Sequence, residues 1–512
     1  MSFQIYNTLT RRVEEFVPLQ PPQVRLYTCG PTVYDFATVG NFRAYIFEDL
    51  LRRTLRFRGF QVIQVMNLTD VDDKTIRGAQ AAKVALSDYT QKYKDAFFED
   101  QRALAIEPAE HYPAATAHIP EMIALIETLF QKGYAYRSED GSVYFSIAKF
   151  KNYGKLAHLD LTGLKPGARI AQDEYQKENA ADFALWKAWQ SEDGDVAWDS
   201  PWGRGRPGWH IECSAMSMKY LGASFDLHTG GVDNIFPHHE DEIAQSEAAT
   251  GRPFVKYWMH CAHLVVDGRK MSKSLGNFFT VRDILRRGYS GREIRYALMA
   301  VHYRQALNFT FEVLDAARGA LARLDEFVER MLAHSGQPAL RSPALPDEAG
   351  RSEVSVSRRS ALAEPEGQQS AIINQKLEIE NRKLKIENWL TPHVAAFTRA
   401  LDDDLNISLA LAALFDFVHA GNKRLDEGAL SPVEASQALD MLEHIDRVLG
   451  VRGGEASAPP AAIVQLAQAR LEARRRKDWA EADRLRREVE TQGWIIQDAS
   501  DGFKLKRGPM HH

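Results

Sequence analysis

Apolar positions change their period twice within the first seventy residues. Val24–Cys29 reads as a short apolar strand ending at the turn Gly30-Pro31. After Gly40-Asn41, Phe47, Leu50, Leu51 and Leu55 share one helical face, and Gly59 stops that run. Gln61-Val-Ile-Gln-Val-Met66 follows as a second, largely apolar strand. Strand, crossover helix and strand form the unit of a parallel doubly wound sheet, in which ligands bind outside the carboxyl ends of the strands. Cys29 and Thr69 fall at those ends.

Further along, Glu121–Gln131 has helical spacing and Tyr144–Ile147 reads as a strand. The chain through about Ser200 looks irregular, with glycines and Trp186, Trp189, Trp198 and Trp202. Residues 119–205 therefore read as an insertion that interrupts the sheet domain. The α/β pattern resumes at Ser224–Thr229, a strand ending in Gly230-Gly231, and a helix is expected after Pro237. His263–Met271, centred on Asp267-Gly268, reads as a hairpin. After about Gly291 the pattern is helical, with helices again at Ala395–Ala400 and Leu409–His419.

Between Val328 and Asn388 there is no Phe, Tyr or Trp, although the whole chain is 10% aromatic. Pro, Ser, Gly, Glu and Arg dominate Ser335–Ser370, which predicts a disordered linker. Lys376-Leu-Glu-Ile-Glu-Asn381 recurs as Lys383-Leu-Lys-Ile-Glu-Asn388. A duplicated low-complexity insertion explains this repeat better than a coiled-coil seam. Beyond the break Gly453–Pro460, the last residues (about 55) read as a small separate domain.

Composition narrows the class. At roughly 100–200 residues per domain, 512 residues suggest about three to five domains. Hydrophobic residues at 45% and charged residues at 26% exclude a mostly disordered chain. The formal charge of −5 means that any nucleic-acid contact needs a local basic patch. Three cysteines, Cys29, Cys213 and Cys261, exclude a disulfide scaffold. No apolar run approaches the ~18–20 residues of a membrane span, and Met1–Arg12 lacks a signal-peptide core. A cytoplasmic, multidomain enzyme is expected.

The most specific string is Lys270-Met-Ser-Lys-Ser274, followed by Leu275-Gly-Asn277. Lys270 and Lys273 on a glycine-flanked loop can meet a polyphosphate whose charge moves as a phosphorus–oxygen bond breaks. A generic Lys-x-x-Lys would more often be a solvated basic turn. The complete string resembles the nucleotide loop of class I aminoacyl-tRNA synthetases. Those enzymes carry His-Ile-Gly-His at the first strand–helix junction, where this chain has Thr38-Val39-Gly40-Asn41. Gly40 would let the nucleotide base approach the backbone. Thr38 and Asn41 would donate to phosphate and ribose oxygens, though Thr38 cannot carry the charge of a histidine. Alone, the four residues would be an ordinary helix start.

Cys29 ends the first strand, and Cys213 stands in Trp209-His-Ile-Glu-Cys213. His238 and Glu242 are four apart and share a helical face. Two thiolates, an imidazole and a carboxylate make a plausible four-coordinate zinc set. The alternative is two buried cysteines and a surface His/Glu pair. Cys261 has no such neighbourhood and reads as packing.

These strings, with Cys29–Asp35, Asn67–Lys74, Gly208–Met216, Phe236–Glu242, Ala400–Asn406 and Lys477–Arg484, resemble the cysteinyl-tRNA synthetase family along nearly the whole chain. Only 335–390 lacks a counterpart in the family pattern. The resemblance implies ATP-dependent ligation of L-cysteine to tRNA(Cys) through a cysteinyl-adenylate. It implies one Zn2+ per chain on Cys29, Cys213, His238 and Glu242, and Mg2+ with ATP. Lys273, Lys270, Thr38, Gly40 and Asn41 would serve ATP. Thr32, Thr69, Trp209, His228 and Asp233 would line the cysteine pocket. For Asp70-Val-Asp-Asp73, helix capping is preferred to a second metal site. A monomer without membrane contact is expected.

The fold class is α/β: a Rossmann-type doubly wound parallel-sheet catalytic domain with an inserted connective subdomain, then an α-helical bundle and a small C-terminal domain. The expected boundaries are 1–118 and 206–275 for the two catalytic halves and 119–205 for the insertion. The lysine loop and stem-contact region would span 276–315. A tRNA-binding bundle at 316–450, interrupted by 335–390, and a tRNA-binding domain at 451–512 would follow. In the last, Arg470, Arg474, Arg475, Arg476, Lys477, Arg484, Arg486 and Arg487 lie near Trp479 and Trp494, which suits stacking on unpaired bases. Two rivals share these motifs: a ligase joining cysteine to an amino-sugar in mycothiol synthesis, and a catalytically silent tRNA-binding paralogue. The tail Leu409–Lys506 opposes the first. The lysine loop and zinc set oppose the second, whose only support is Thr38.

Overall fold

The computed structural model describes residues 2–159, 182–336, 389–452, 461–492, 494–499 and 502–507. Its central sheet has four parallel strands: β1 (Gln23–Thr28), β2 (Gln61–Met66), β3 (Phe225–Gly231) and β4 (Val255–Cys261). Their order is β4-β3-β1-β2. The chain leaves β1 through helix α1 (Val39–Phe57) to β2 on one side, and later enters β3 on the other. The strand order therefore reverses between β1 and β3. That switch point opens a crevice at the strand ends, where Cys29 and Gly230-Gly231 stand.

Alternation along the strands feeds two cores. Val24 and Leu26 pack with Val62, Leu227 and with Phe47, Leu51 and Leu55 of α1. Tyr27, Val65 and Phe225 join the opposite core with Ile211 and Met216 of α2 (Trp209–Leu221) and Ile243 and Ala244 of α3 (Glu240–Thr250). Helices thus cover both faces, as a parallel sheet requires.

The insertion holds a helix, Ile119–Gln131, and a four-stranded antiparallel sheet: Ala135–Arg137, Val143–Phe145, Phe183–Ala188 and Gly205–Pro207. The irregular reading of this stretch is corrected. Phe183–Ala188 is buried on both faces, so it shows no polar alternation. The last strand runs to Pro207, two residues past the expected boundary.

The hairpin forms as Leu264–Val266 against Arg269–Lys270. Helices Gly291–Met299, Phe311–Ser335, Thr391–Asp402, Ile407–Asp426 and Pro432–Leu449 share the largest core with α1. Arg295, fully buried, joins them: it pairs with Asp49 of α1 at 2.5 Å and donates to the Leu449 carbonyl at 2.6 Å. Ser335, expected in the linker, ends a 25-residue helix. Most of the linker and the whole repeat lie outside the described residues, as does the break 453–460. At the C-terminus, helices Ala461–Arg475 and Trp479–Thr491 and a two-stranded hairpin enclose their own small core. No helix among the described residues is long and apolar enough to cross a membrane.

Candidate active site and metal centre

A cavity of about 460 Å³ opens at the switch point. Of the residues singled out from sequence, Cys29, Thr32, Thr38, Gly40, Asn41, Thr69, Trp209, Cys213, Asp233 and His238 line it. Gly30 makes the floor possible: a Cβ there would sit 1.8 Å from the Asn67 carbonyl oxygen. The Gly30 N–H instead donates to Asn67 Oδ1 at 2.9 Å, joining the ends of β1 and β2. Asn67, Asn234 and His263 also line the cavity. Sequence reasoning gave none of the three a role, although Asn67 opens the motif Asn67–Lys74, His263 opens the predicted hairpin and Asn234 follows Asp233.

His228 and Glu242 are buried behind the wall, where His228 Nε2 meets Glu242 Oε2 at 2.8 Å. His228 therefore backs a candidate ligand and does not line the pocket. Lys270 is exposed on its hairpin strand, and its carbonyl accepts from Asn277. Lys273 opens a short 3₁₀ turn; its side chain lies outside the described residues. The lysine loop does reach the start of α1, because Met271 fills the space that a Cβ on Gly40 would need.

The capping reading holds for Asp72, which accepts from the Lys74 N–H at the start of helix Asp73–Ala82. Asp70 instead binds Lys94 and Thr116, and Asp73 binds Lys187 and Arg206. Thr38 and Asn41 form a reciprocal cap on α1. Thr38 Oγ1 donates to Asn41 Oδ1 at 2.8 Å and accepts from the Asn41 N–H at 3.2 Å.

Donor atoms of Cys29, His238, His239 and Glu242 all lie within 4.8 Å of one another. Tetrahedral zinc places ligand atoms roughly 3.3–3.8 Å apart, so a small contraction would suffice. His239 was not expected; its Nε2 lies 3.2 Å from Cys29 Sγ. Cys213, expected as a ligand, is not one of these four; it lines the same cavity and is coupled electrostatically to Cys29 and His238. Glu242 Oε1 lies 3.0 Å from His238 Nε2 but makes no aligned hydrogen bond.

The charges agree with a cation site. The hydrogen bond from Cys29 lowers Cys213 to about 6, and the same bond, with burial, pushes Cys29 well up. Burial raises the Glu242 carboxyl, but His228 and His238 outweigh it and hold it at about 2. Burial opposes charge on His238, yet Glu242 and Cys213 lift it to about 10. Burial and neighbouring histidines keep His239 neutral. The cluster thus collects an acidified thiol and a carboxylate around a protonated His238, and a bound cation would take the place of that proton.

Residues 15–319 match the family described as tRNA synthetases class I (C) catalytic domain, and 396–452 match the DALR domain. A cysteine–tRNA ligase of Chlamydia pneumoniae is 49% identical over 503 residues, 98% of this chain and 97% of that one. Another, of Protochlamydia amoebophila, is 46% identical over 98% of both chains. The chain belongs to the cysteine–tRNA ligase family. As a class I synthetase it also resembles solved structures. A Mycobacterium tuberculosis methionyl-tRNA synthetase in complex with methionyl-adenylate has a TM-score of 0.55 at 16% identity, covering 84% of this chain and 90% of that one. A putative arginyl-tRNA synthetase of Campylobacter jejuni has 0.52 at 11%, covering 83% and 91%. At these identities the likeness is one of fold.

In this chain the C-terminal basic run is partly neutralised. Arg470 is buried against Asp498, Arg484 bridges Glu481 and Glu488, and Arg486 pairs with Glu490. Trp494 is a core residue, 7% exposed, which corrects its reading as a stacking platform. Trp479 is 59% exposed beside Arg475, Arg476 and Lys477.

Proposed function

We propose that this cysteine–tRNA ligase activates L-cysteine as cysteinyl-adenylate in the switch-point cavity and then charges tRNA(Cys). The cysteine carboxylate attacks the α-phosphorus of ATP and pyrophosphate leaves. The 2′-hydroxyl of the terminal adenosine then attacks the aminoacyl carbonyl and AMP leaves. No covalent enzyme intermediate is needed, so the protein acts by positioning and by stabilising charge.

The cavity divides the work by chemistry. Cys29, Cys213 and His238 on the cavity wall and Glu242 behind it would hold zinc, with His239 beside Cys29 as a fifth candidate. When bound there, zinc would supply a soft site for the substrate thiolate, which a serine hydroxyl fills poorly. Trp209 stacks on His238, ring centroids 4.3 Å apart, and would wall the part of the cavity that takes the cysteine side chain. Asp233 on the wall offers a carboxylate to the ammonium group of cysteine. Thr69 donates to the buried Glu212 at 3.0 Å and is thereby fixed in orientation. At the other end Thr38, Gly40 and Asn41 would meet ATP carried with Mg2+, with Lys270 and Lys273 closing on its phosphates. The helical bundle and the C-terminal domain, with exposed Trp479 and the basic turn before it, would take the tRNA.

The observation that carries this reading is the joining of the donor cluster and the capped start of α1 in one cavity. Cysteine-dependent exchange of pyrophosphate into ATP tests it. Exchange without subsequent transfer to tRNA would favour the amino-sugar ligase, and no exchange would favour the silent paralogue.

A further inference from the structure

Behind His238 runs a line of buried polar groups that none of these steps uses. His238 Nδ1 lies 3.0 Å from His210 Nδ1. On the far side of that ring, His210 Nε2 lies 3.3 Å from Asp241 Oδ2. The other carboxylate oxygen, Oδ1, accepts from the Tyr153 hydroxyl. All four side chains are buried, Asp241 to 1% exposure and Tyr153 to 6%.

Two imidazole nitrogens facing each other at hydrogen-bond distance need one donor and one acceptor. Asp241 decides which. Its carboxylate only accepts, so His210 carries its hydrogen on Nε2 and presents a lone pair at Nδ1. His238 must then carry its own hydrogen on Nδ1. His238 Nε2 then faces the donor cluster, where Glu242 Oε1 lies 3.0 Å away, and is the nitrogen on which a metal would replace hydrogen. Metal-binding histidines commonly donate their second N–H directly to a carboxylate or carbonyl. Here the carboxylate acts through an intervening imidazole.

We propose that Tyr153, Asp241 and His210 form a tautomer relay that keeps His238 Nε2 free to bind the metal. They are positioning residues, and the proposal rests on the metal reading of the cluster. Asp241→Asn makes a sharp test because it changes hydrogen-bond polarity at constant shape. Tyr153 would still donate to the amide oxygen, turning the NH₂ group toward His210 Nε2. His210 would then carry its hydrogen on Nδ1 and donate to His238, driving that ring's hydrogen onto Nε2. Tyr153→Phe, by contrast, leaves Asp241 an acceptor.

Zinc affinity of the full chain, read by chelator competition, should fall about 10–100-fold in Asp241→Asn and stay near wild type in Tyr153→Phe. Cobalt-loaded Asp241→Asn should show a weakened four-coordinate absorption band, while the metal-free protein melts as wild type does. In zinc-loaded, ¹⁵N-histidine-labelled wild type, long-range proton–nitrogen spectra should read hydrogens at His210 Nε2 and His238 Nδ1. Unchanged zinc affinity in a folded Asp241→Asn protein, or a His210 hydrogen on Nδ1 in the wild type, would overturn the relay alone. Failure of the wild type itself to retain zinc would overturn the metal reading and the relay with it.

Discussion

Thr38 stands at the start of α1 with its hydroxyl hydrogen already engaged. It donates to Asn41 Oδ1, which also accepts from the Thr38 N–H at 2.9 Å. To donate to a phosphate oxygen the hydroxyl must turn away from Asn41, at a cost of about 0.5–1.5 kcal/mol for one exposed hydrogen bond. Asn41 Oδ1 would still hold the backbone N–H. A donor to transition-state charge is typically worth about 2.7–4 kcal/mol. The net gain of roughly 1.2–3.5 kcal/mol corresponds to about 8- to 400-fold in rate. Thr38→Val should lose this factor in cysteine-dependent pyrophosphate exchange. It should also lose about 1 kcal/mol of stability with the cap. Thr38→Asp separates the two effects, because Asp caps well but cannot donate: stability should stay while the rate falls at least as far. Thr38→Ser should keep both. Exchange by Thr38→Val as fast as by the parent, at saturating ATP, would refute a catalytic role for the hydroxyl. Lys273→Ala should cost more than Thr38→Val, since it removes a full charge.

Three other perturbations probe separate parts of the account. Cys213→Ser should lose zinc and cysteine activation together, as metal analysis and exchange on one preparation would reveal. Glu48 is buried under the strand ends, and burial raises its carboxyl from 4.5 to about 8 against a hydrogen bond from Thr229. The folded state therefore keeps a proton that the unfolded state has lost. Stability should fall between those values as pH rises, by up to about 1.4 kcal/mol per pH unit. Glu48→Gln should remove that slope in melts followed against pH; an unchanged slope would assign it elsewhere. Replacing 337–387 with a short Gly/Ser linker should leave zinc binding and cysteine activation intact, since a longer flexible loop adds only about 0.6 kcal/mol per doubling. Loss of activation in a protein still folded would mean that this segment packs on the catalytic domain.

Three of the four strands of the catalytic sheet were legible as apolar runs, two of them ending at Gly-Pro or Gly-Gly, whereas Val255–Cys261, which has no such stop, was not read. Gln61–Met66 has the bounds that the pattern predicts. The four-residue spacing of His238 and Glu242 placed both on one face, although nothing in spacing could bring Cys29 next to Cys213. His239 was hidden for a geometric reason. In a regular helix neighbouring side chains diverge by about 100°, which sends residue 239 away from 238. Here both directions lead into the protein: the turn over Ile235–His239 is extended only at Phe236 (φ −140°, ψ 131°), and His238 and His239 are both buried. Phe183–Ala188 escaped because burial on both faces erases alternation. Charge counting overstated the C-terminal basic run because four of its seven arginines, Arg470, Arg474, Arg484 and Arg486, are paired with acidic residues of their own domain.

The central claim is that one cavity joins a metal-binding floor to a nucleotide-binding helix start and so activates cysteine. Its most direct test is cysteine-dependent pyrophosphate exchange by the full chain, measured as purified, after chelator stripping, and after zinc is restored, with serine as the competitor. The account predicts exchange that vanishes with the metal and returns with it. It also predicts a preference for cysteine over serine of about 10⁴ or more, reached without editing. Undiminished cysteine-dependent exchange by protein shown to hold no zinc would contradict it.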